Sequence, residues 1–175
     1  FTNGGGNKLW SNVCNWSAGI PNTTAKVSLE ADLIVDANKE ISQIKLGSGA
    51  SANATVTATN SAILTLNGTA VTTPIYNGQD NLDMNLNLPV VLSSSDVESV
   101  SADGVGTSSI TFGANSDLTL SAITKFLAQN NRSINMNGVL QGSAEFRVGA
   151  ASKINFGSTS NNAAHTGGFK MLGNN

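Results

Sequence analysis

The feature that most constrains this chain is a short, recurring alternation of apolar and polar residues. Val27 and Leu29 alternate with polar neighbours, as do Ile44 and Leu46, Val56 and Ala58, and Leu64 and Leu66. The longest run is Leu82, Met84, Leu86 and Leu88, with Asp83, Asn85 and Asn87 between them. A period of two sends successive side chains to opposite faces of an extended strand. Turn formers bound the runs, among them Asn67-Gly68, Asn77-Gly78 and Asn137-Gly138. Leu120 to Gln129 is the one stretch with helical character, and it is short and poorly capped. The pattern predicts an all-β chain.

Internal repetition separates the all-β architectures. Ser109 to Leu120 (SITFGANSDLTL) matches Glu145 to Phe156 (EFRVGAASKINF) at an offset of 36, placing Phe112 opposite Val148 and Leu118 opposite Ile154. Val56 to Leu66 (VTATNSAILTL) matches the first of these at an offset of 54, with Leu64 opposite Leu118 and Leu66 opposite Leu120. Both offsets are multiples of 18, and roughly 18–25 residues is a common length for one coil of a β-solenoid. The expectation is a solenoid over residues 26–175 with an 18-residue coil. Residues 1–25, rich in Gly and Asn and holding both tryptophans, form an N-terminal cap or docking segment. The alternative is a β-sandwich with hairpins at the Asn-Gly turns.

Composition agrees with stacked coils. The 175 residues include 21 Ser, 16 Thr and 23 Asn, while only 11% are charged and 5% aromatic. Small polar residues suit tight corners and outward ladders in which each side chain bonds its equivalent one coil away. A net charge of −2 with nine Lys and Arg gives no basic footprint for nucleic acid. One His and one Cys leave little for zinc, thiol or triad chemistry. No apolar run of 18 residues exists, so no transmembrane segment is expected. The chain starts at Phe1 rather than Met, which reads as a processed or trimmed product and leaves a secreted origin open. Cys14 has no partner for an internal disulfide and is read as a buried thiol rather than an intermolecular link.

Candidate sites are few. Trp10 and Trp16 suit either a sugar-stacking platform or a cap over the first coil, and the flanking Pro21 favours the cap. Ser93 to Ser109 reads as a solvated polar loop. Its Asp96, Glu98 and Asp103 are candidate calcium ligands, calcium being the only cofactor in view, although their spacing fits no EF-hand. Asp80 and Asp83 raise the question of a paired-carboxylate glycosidase, but Asp83 alternates with Met84 and faces away from the core. Lys125, Arg132, Arg147 and Lys153 are available as a lyase base, yet no sequence pattern gathers them. No catalytic or metal-binding residue is therefore assigned.

Two motifs carry a family resemblance. Trp10-Ser11-Asn12-Val13-Cys14-Asn15-Trp16-Ser17-Ala18-Gly19-Ile20-Pro21, followed by Lys26-Val27-Ser28-Leu29, resembles the "W…NWSxGxP" opening of secreted bacterial β-helix proteins. Ile154-Asn155-Phe156-Gly157, leading to His165-Thr166-Gly167-Gly168-Phe169, resembles the autotransporter-associated β-strand repeat. There His165 replaces the usual aromatic, and Phe169 follows the glycine pair where Thr is common. The resemblance implies a right-handed parallel β-helix from an extracellular or cell-surface bacterial protein with a structural or adhesive role. It marks Trp10, Asn15, Trp16, Pro21, Thr166, Gly167 and Gly168 as cap and assembly residues. The expected function is a non-catalytic module that self-associates into a surface layer or filament, with surface polysaccharide as a second partner. The alternative is a glycan-binding or polysaccharide-processing β-helix.

Overall fold

The computed structural model describes residues 1–68, 73–93, 98–103, 106–157 and 161–173. Among them, nineteen strands wind into a right-handed parallel β-helix. The first coil holds β1 (Lys26–Leu29), β2 (Leu33–Val35) and β3 (Lys39–Ile41), and the second β4 (Gln43–Leu46), β5 (Ala54–Ala58) and β6 (Leu64–Leu66). The third holds β7 (Ile75–Asn77), β8 (Met84–Asn87) and β9 (Val90–Leu92), and the fourth β10 (Glu98–Ala102), β11 (Ser109–Phe112) and β12 (Leu118–Leu120). The fifth holds β13 (Thr124–Ala128), β14 (Ser133–Met136) and β15 (Val139–Gly142), and the sixth β16 (Phe146–Val148), β17 (Ile154–Phe156) and β18 (Asn161–His165). A further strand, β19 (Phe169–Met171), follows. Equivalent strands stack in chain order on three sides: side 1 from β1 to β19, side 2 from β2 to β17, and side 3 from β3 to β18.

The pairings between these strands are all parallel, which removes the sandwich. The Asn-Gly pairs mark corners rather than hairpins. At Asn137-Gly138, a Cβ on the glycine would collide with the Ser116 carbonyl oxygen of the coil before.

The coil does not keep the regular length expected from the sequence offsets. On side 1, Val27 pairs with Ile44 and Ile44 with Ile75, so the second step takes nearly twice as much chain as the first. Later side 1 steps fall between these two, as in Val100 to Phe126 and Phe126 to Val148. The offset of 54 is two real coils, since Leu64 pairs with Val90 and Val90 with Leu118. The offset of 36 instead matches β11 on side 2 with β16 on side 1. All three sides carry the same apolar-x-apolar pattern, so the sequence match slipped by one side.

Two further expectations change. Leu120 to Gln129 contains β13, not a helix; Thr124, Phe126 and Ala128 point inward at period two. The polar stretch from 93 to 109 contains β10, which places Val100 and Ala102 in the core between β7 and β13.

Inward side chains form continuous columns. Leu33, Val56, Leu86, Phe112, Met136 and Phe156 make one on side 2. Ile41, Leu66, Leu92, Leu120, Gly142 and His165 make one on side 3. Apolar burial of this kind is the main favourable term in the fold.

Outward and corner residues supply polar ladders. Thr55, Asn85, Thr111, Asn135 and Asn155 lie in register on the outside of side 2. Asn155 Nδ2 donates to Asn135 Oδ1 at 2.8 Å, and Asn135 Nδ2 to Thr111 Oγ1 at 3.1 Å. At the corner before side 2, Asp32 Oδ1 accepts from Thr55 N (2.9 Å), Asn53 Oδ1 from Asp83 N (2.8 Å) and Asp83 Oδ1 from Ser109 N (2.7 Å). A short Asx side chain at a corner thus satisfies the backbone donor of the next coil, which open corners leave without a ladder partner. This explains the Asn content in physical terms.

Candidate functional site

The N-terminal segment folds onto the first coil. Phe1 N donates to Ser28 O (2.6 Å) and Glu30 N to Phe1 O (3.0 Å), extending the outer edge of β1. Trp10 N donates to Ile34 O and Ile34 N to Lys8 O, both at 2.8 Å, with a parallel bridge between Leu9 and Ile34 at the outer edge of β2. Trp10 is fully buried. Trp16 lies against it with ring centroids 4.9 Å apart and donates its indole N–H to Trp10 O at 2.8 Å. Phe1 meets Trp16 edge-on at 5.0 Å.

Asn15 holds this segment together. It is fully buried; its Oδ1 accepts from Gly5 N (2.8 Å), and its Nδ2 donates to Leu9 O (2.8 Å) and Asn7 Oδ1 (3.0 Å). Pro21 lines a cleft of about 280 Å³ together with Phe1, Trp16, Ile20 and Val27. Cys14 is exposed, contrary to the buried reading. It sits in a single turn of 3-10 helix whose N-cap, Asn12, accepts the Cys14 N–H, so the turn carries the thiol on its outer surface.

The other end is built around aromatic rings. Phe146 stacks on Phe126 at 4.1 Å and touches Phe169 at 5.3 Å and Phe156 at 6.1 Å. His165 meets Phe169 edge-on at 5.1 Å. The ring is buried, and neither nitrogen meets a hydrogen-bond partner among the described residues. Thr166 N donates to Gly142 O (2.9 Å), and Phe146 N donates to Gly168 O (2.8 Å). A Cβ on Gly167 would strike the Ala144 carbonyl oxygen, whereas one on Gly168 would meet open space. The first glycine of the pair is therefore a steric requirement of the corner.

The carboxylates considered for calcium do not form a described cluster. Asp96 lies outside the described residues. Glu98 opens β10 at a register irregularity, and Asp103 N donates to Asn77 O at the corner that follows. No three His, Cys, Asp or Glu side chains gather among the described residues. Asp83 is engaged with Ser109 N and Ser109 Oγ.

Asp80 leads to a charged contact that the sequence reading missed. Arg132 is fully buried at the corner between β13 and β14. Its guanidinium donates to Asn77 O (3.1 Å), Gln79 O (3.0 Å), Ser108 Oγ (2.6 Å) and Asp80 Oδ1 (2.6 Å). It therefore spans three successive coils. Asn77 beside it is also fully buried and donates to Leu82 O and Ser109 O. Partners this far apart in sequence cannot be matched without the true coil length. No helix among the described residues is long and apolar enough to cross a membrane. Comparisons with protein families, curated proteins and solved structures found no match to this chain.

Proposed function

We propose that this chain is a non-catalytic, extracellular structural or adhesive β-solenoid module that associates with copies of itself in a surface layer or filament. One observation carries this reading. Among the described residues, the exposed large apolar side chains are Val13, Ile20, Phe156, Phe169 and Met171, and they all lie at the two ends of the coil. The sides between carry polar rows and corner Asx residues bonded from coil to coil. Exposed apolar side chains gathered at the ends support association there. Light scattering of the whole chain over a wide concentration range tests the reading. The mass should rise above the 17.9 kDa of one chain, and a strictly monomeric species at the highest concentration refutes it.

The glycan-binding alternative is less well supported. A sugar-binding face needs aromatic platforms, and Tyr76 is the one aromatic at an outward strand position from β1 to β16 among the described residues. Saturable binding to a glycan array at the level of authentic lectins would favour it.

A further inference from the structure

The corner where the third, fourth and fifth coils enter side 2 holds a pocket of about 260 Å³. Two rows line it. Asn81, Thr107 and Asn131 form one, and Asp83, Ser109 and Ser133 form the other, two residues further along each coil. The register of β8, β11 and β14 sets neighbours within a row one coil apart, about 4.8 Å. The pocket sits on the outer surface in the middle of the solenoid, away from both ends of the coil.

Its walls are fixed by bonds between coils. Asp83 Oδ1 accepts from Ser109 N (2.7 Å) and Ser109 Oγ (2.9 Å), and Asn81 Oδ1 accepts from Thr107 N (3.2 Å) and Thr107 Oγ1 (3.1 Å). A backbone N–H takes an oxygen, so each bond decides which atom is left over. Asp83 keeps Oδ2 as an acceptor, and Asn81 keeps Nδ2 as a donor. Neither of these atoms, nor the Asn131 amide, nor Ser133 Oγ, meets a partner among the described residues. Behind the pocket, the buried Arg132 donates to Ser108 Oγ, and in the chain it lies between Asn131 and Ser133. Its anchorage therefore positions the fifth-coil wall. Donors and acceptors held in this way need little ordering when a ligand arrives.

These groups select the ligand. Every lining residue is Asn, Asp, Ser or Thr, so a ligand with a large apolar body gains nothing here. Charge excludes a second class. Residues 51–117 hold six carboxylates and no Lys or Arg, and Asp83 is in the wall itself, so an anion is repelled. A carboxylate acceptor, amides and hydroxyls set close together match a molecule dense in hydroxyls, each of which both donates and accepts. The volume lies below the usual range of ligand sites, about 300–1,000 Å³, and suits one ring rather than a chain of them.

We infer that this corner binds one neutral saccharide unit by hydrogen bonds alone, Asp83 Oδ2 accepting from one sugar hydroxyl and the Asn81 and Asn131 amides bonding others. With no aromatic platform to stack on, a single site binds weakly. Copies gathered in a layer or filament add their sites through avidity. The binding of one unit does not rest on the self-association reading.

Titration of the isotope-labelled chain, followed by nuclear magnetic resonance of its side-chain amides, tests the inference. The probes are the methyl glycosides of glucose, galactose, mannose and N-acetylglucosamine, with galacturonate and methylamine as charged comparisons. At least one neutral glycoside should shift the Asn81 and Asn131 amides saturably, with a millimolar Kd. Galacturonate should bind about threefold more weakly or worse. Asn131→Ala should weaken the glycoside about fivefold. Asp83→Asn keeps an oxygen on Ser109 N and turns the leftover acceptor into a donor, and it should weaken binding about threefold or more. Circular dichroism and thermal melting establish that the variants are folded; Asn131 is exposed and makes no internal side-chain bond, so N131A carries the test if D83N is not. Three results overturn the inference. They are no saturable shift with any neutral glycoside, shifts that map elsewhere or survive N131A unchanged, and methylamine binding more tightly than every glycoside. The last would make the corner a cation site. Light scattering measures self-association separately, so either reading can fail without the other.

Discussion

Removing Arg132 should destabilise the coil more than any other single charged substitution. Its side chain is 0% exposed, while that of its partner Asp80 is 45% exposed. In Arg132→Met the apolar stem is kept and the guanidinium is lost. The carbonyl oxygens of Asn77 and Gln79 and the hydroxyl of Ser108 then each lose a charge-assisted donor inside the corner. Each such loss costs about 1–2 kcal/mol. Asp80 returns to solvent and adds less than about 1 kcal/mol, because its half of the ion pair is already hydrated. The expected cost is therefore about 3–7 kcal/mol, the lower part of which matches breaking other buried ion pairs. For a chain of this size that lowers the midpoint of thermal unfolding by roughly 10–20 °C. Differential scanning calorimetry of R132M, D80N and the double variant measures it, with D80N costing less than about 1 kcal/mol. Two results refute the reasoning: R132M within about 1 kcal/mol of the parent, or D80N as damaging as R132M.

The glycine pair after His165 should respond unequally. Gly167→Ala should cost about 1–3 kcal/mol in urea denaturation through its collision with Ala144, and Gly168→Ala almost nothing. Asn15→Ala should cost about 2–3 kcal/mol by orphaning Gly5 N and Leu9 O, with the loss seen first in the near-ultraviolet signal of Trp10 and Trp16. Burial pushes the Asp32 carboxyl up, but the Thr55 N–H and Lys8 outweigh it and hold the group below its ordinary range. A depressed folded value means that its stabilisation is present above about pH 4 and is lost as the pH falls through the folded value. The difference between the parent and D32N, under about 1 kcal/mol for a pair this exposed, should shrink in urea titrations below pH 4. Cys14 should react with a thiol reagent in the folded chain at the rate of an open thiol, and a protected thiol would contradict its exposure.

The strands and the inward residues were legible because period two is a local property. Val27, Leu64 and Met84 are all buried where the alternation places them. The coil length was not legible, because one side of the coil looks like the next. A match between β11 and β16 is as good by pattern as a true coil step. β10 was hidden because its flanks are Ser, Asp and Gly and its apolar signal is only Val100 and Ala102. The corner around Arg132 was hidden for a different reason. Its partners are mostly backbone carbonyls, and a carbonyl leaves no mark in a sequence. The exposure of Cys14 depends on the geometry of one short turn, which residue type alone does not set.

The stacking of equivalent strands in chain order has a mechanical consequence. Tension applied between the two ends runs along the axis and loads the ladder of one coil at a time, as a zipper is opened. Each coil that peels away frees the chain between paired residues, short from Val27 to Ile44 and long from Ile44 to Ile75. Fully extended, such segments span roughly 60–110 Å. A rod of this kind under pull yields in steps of unequal length rather than all at once. Arg132, tied to three coils, marks the place where the peeling should pause.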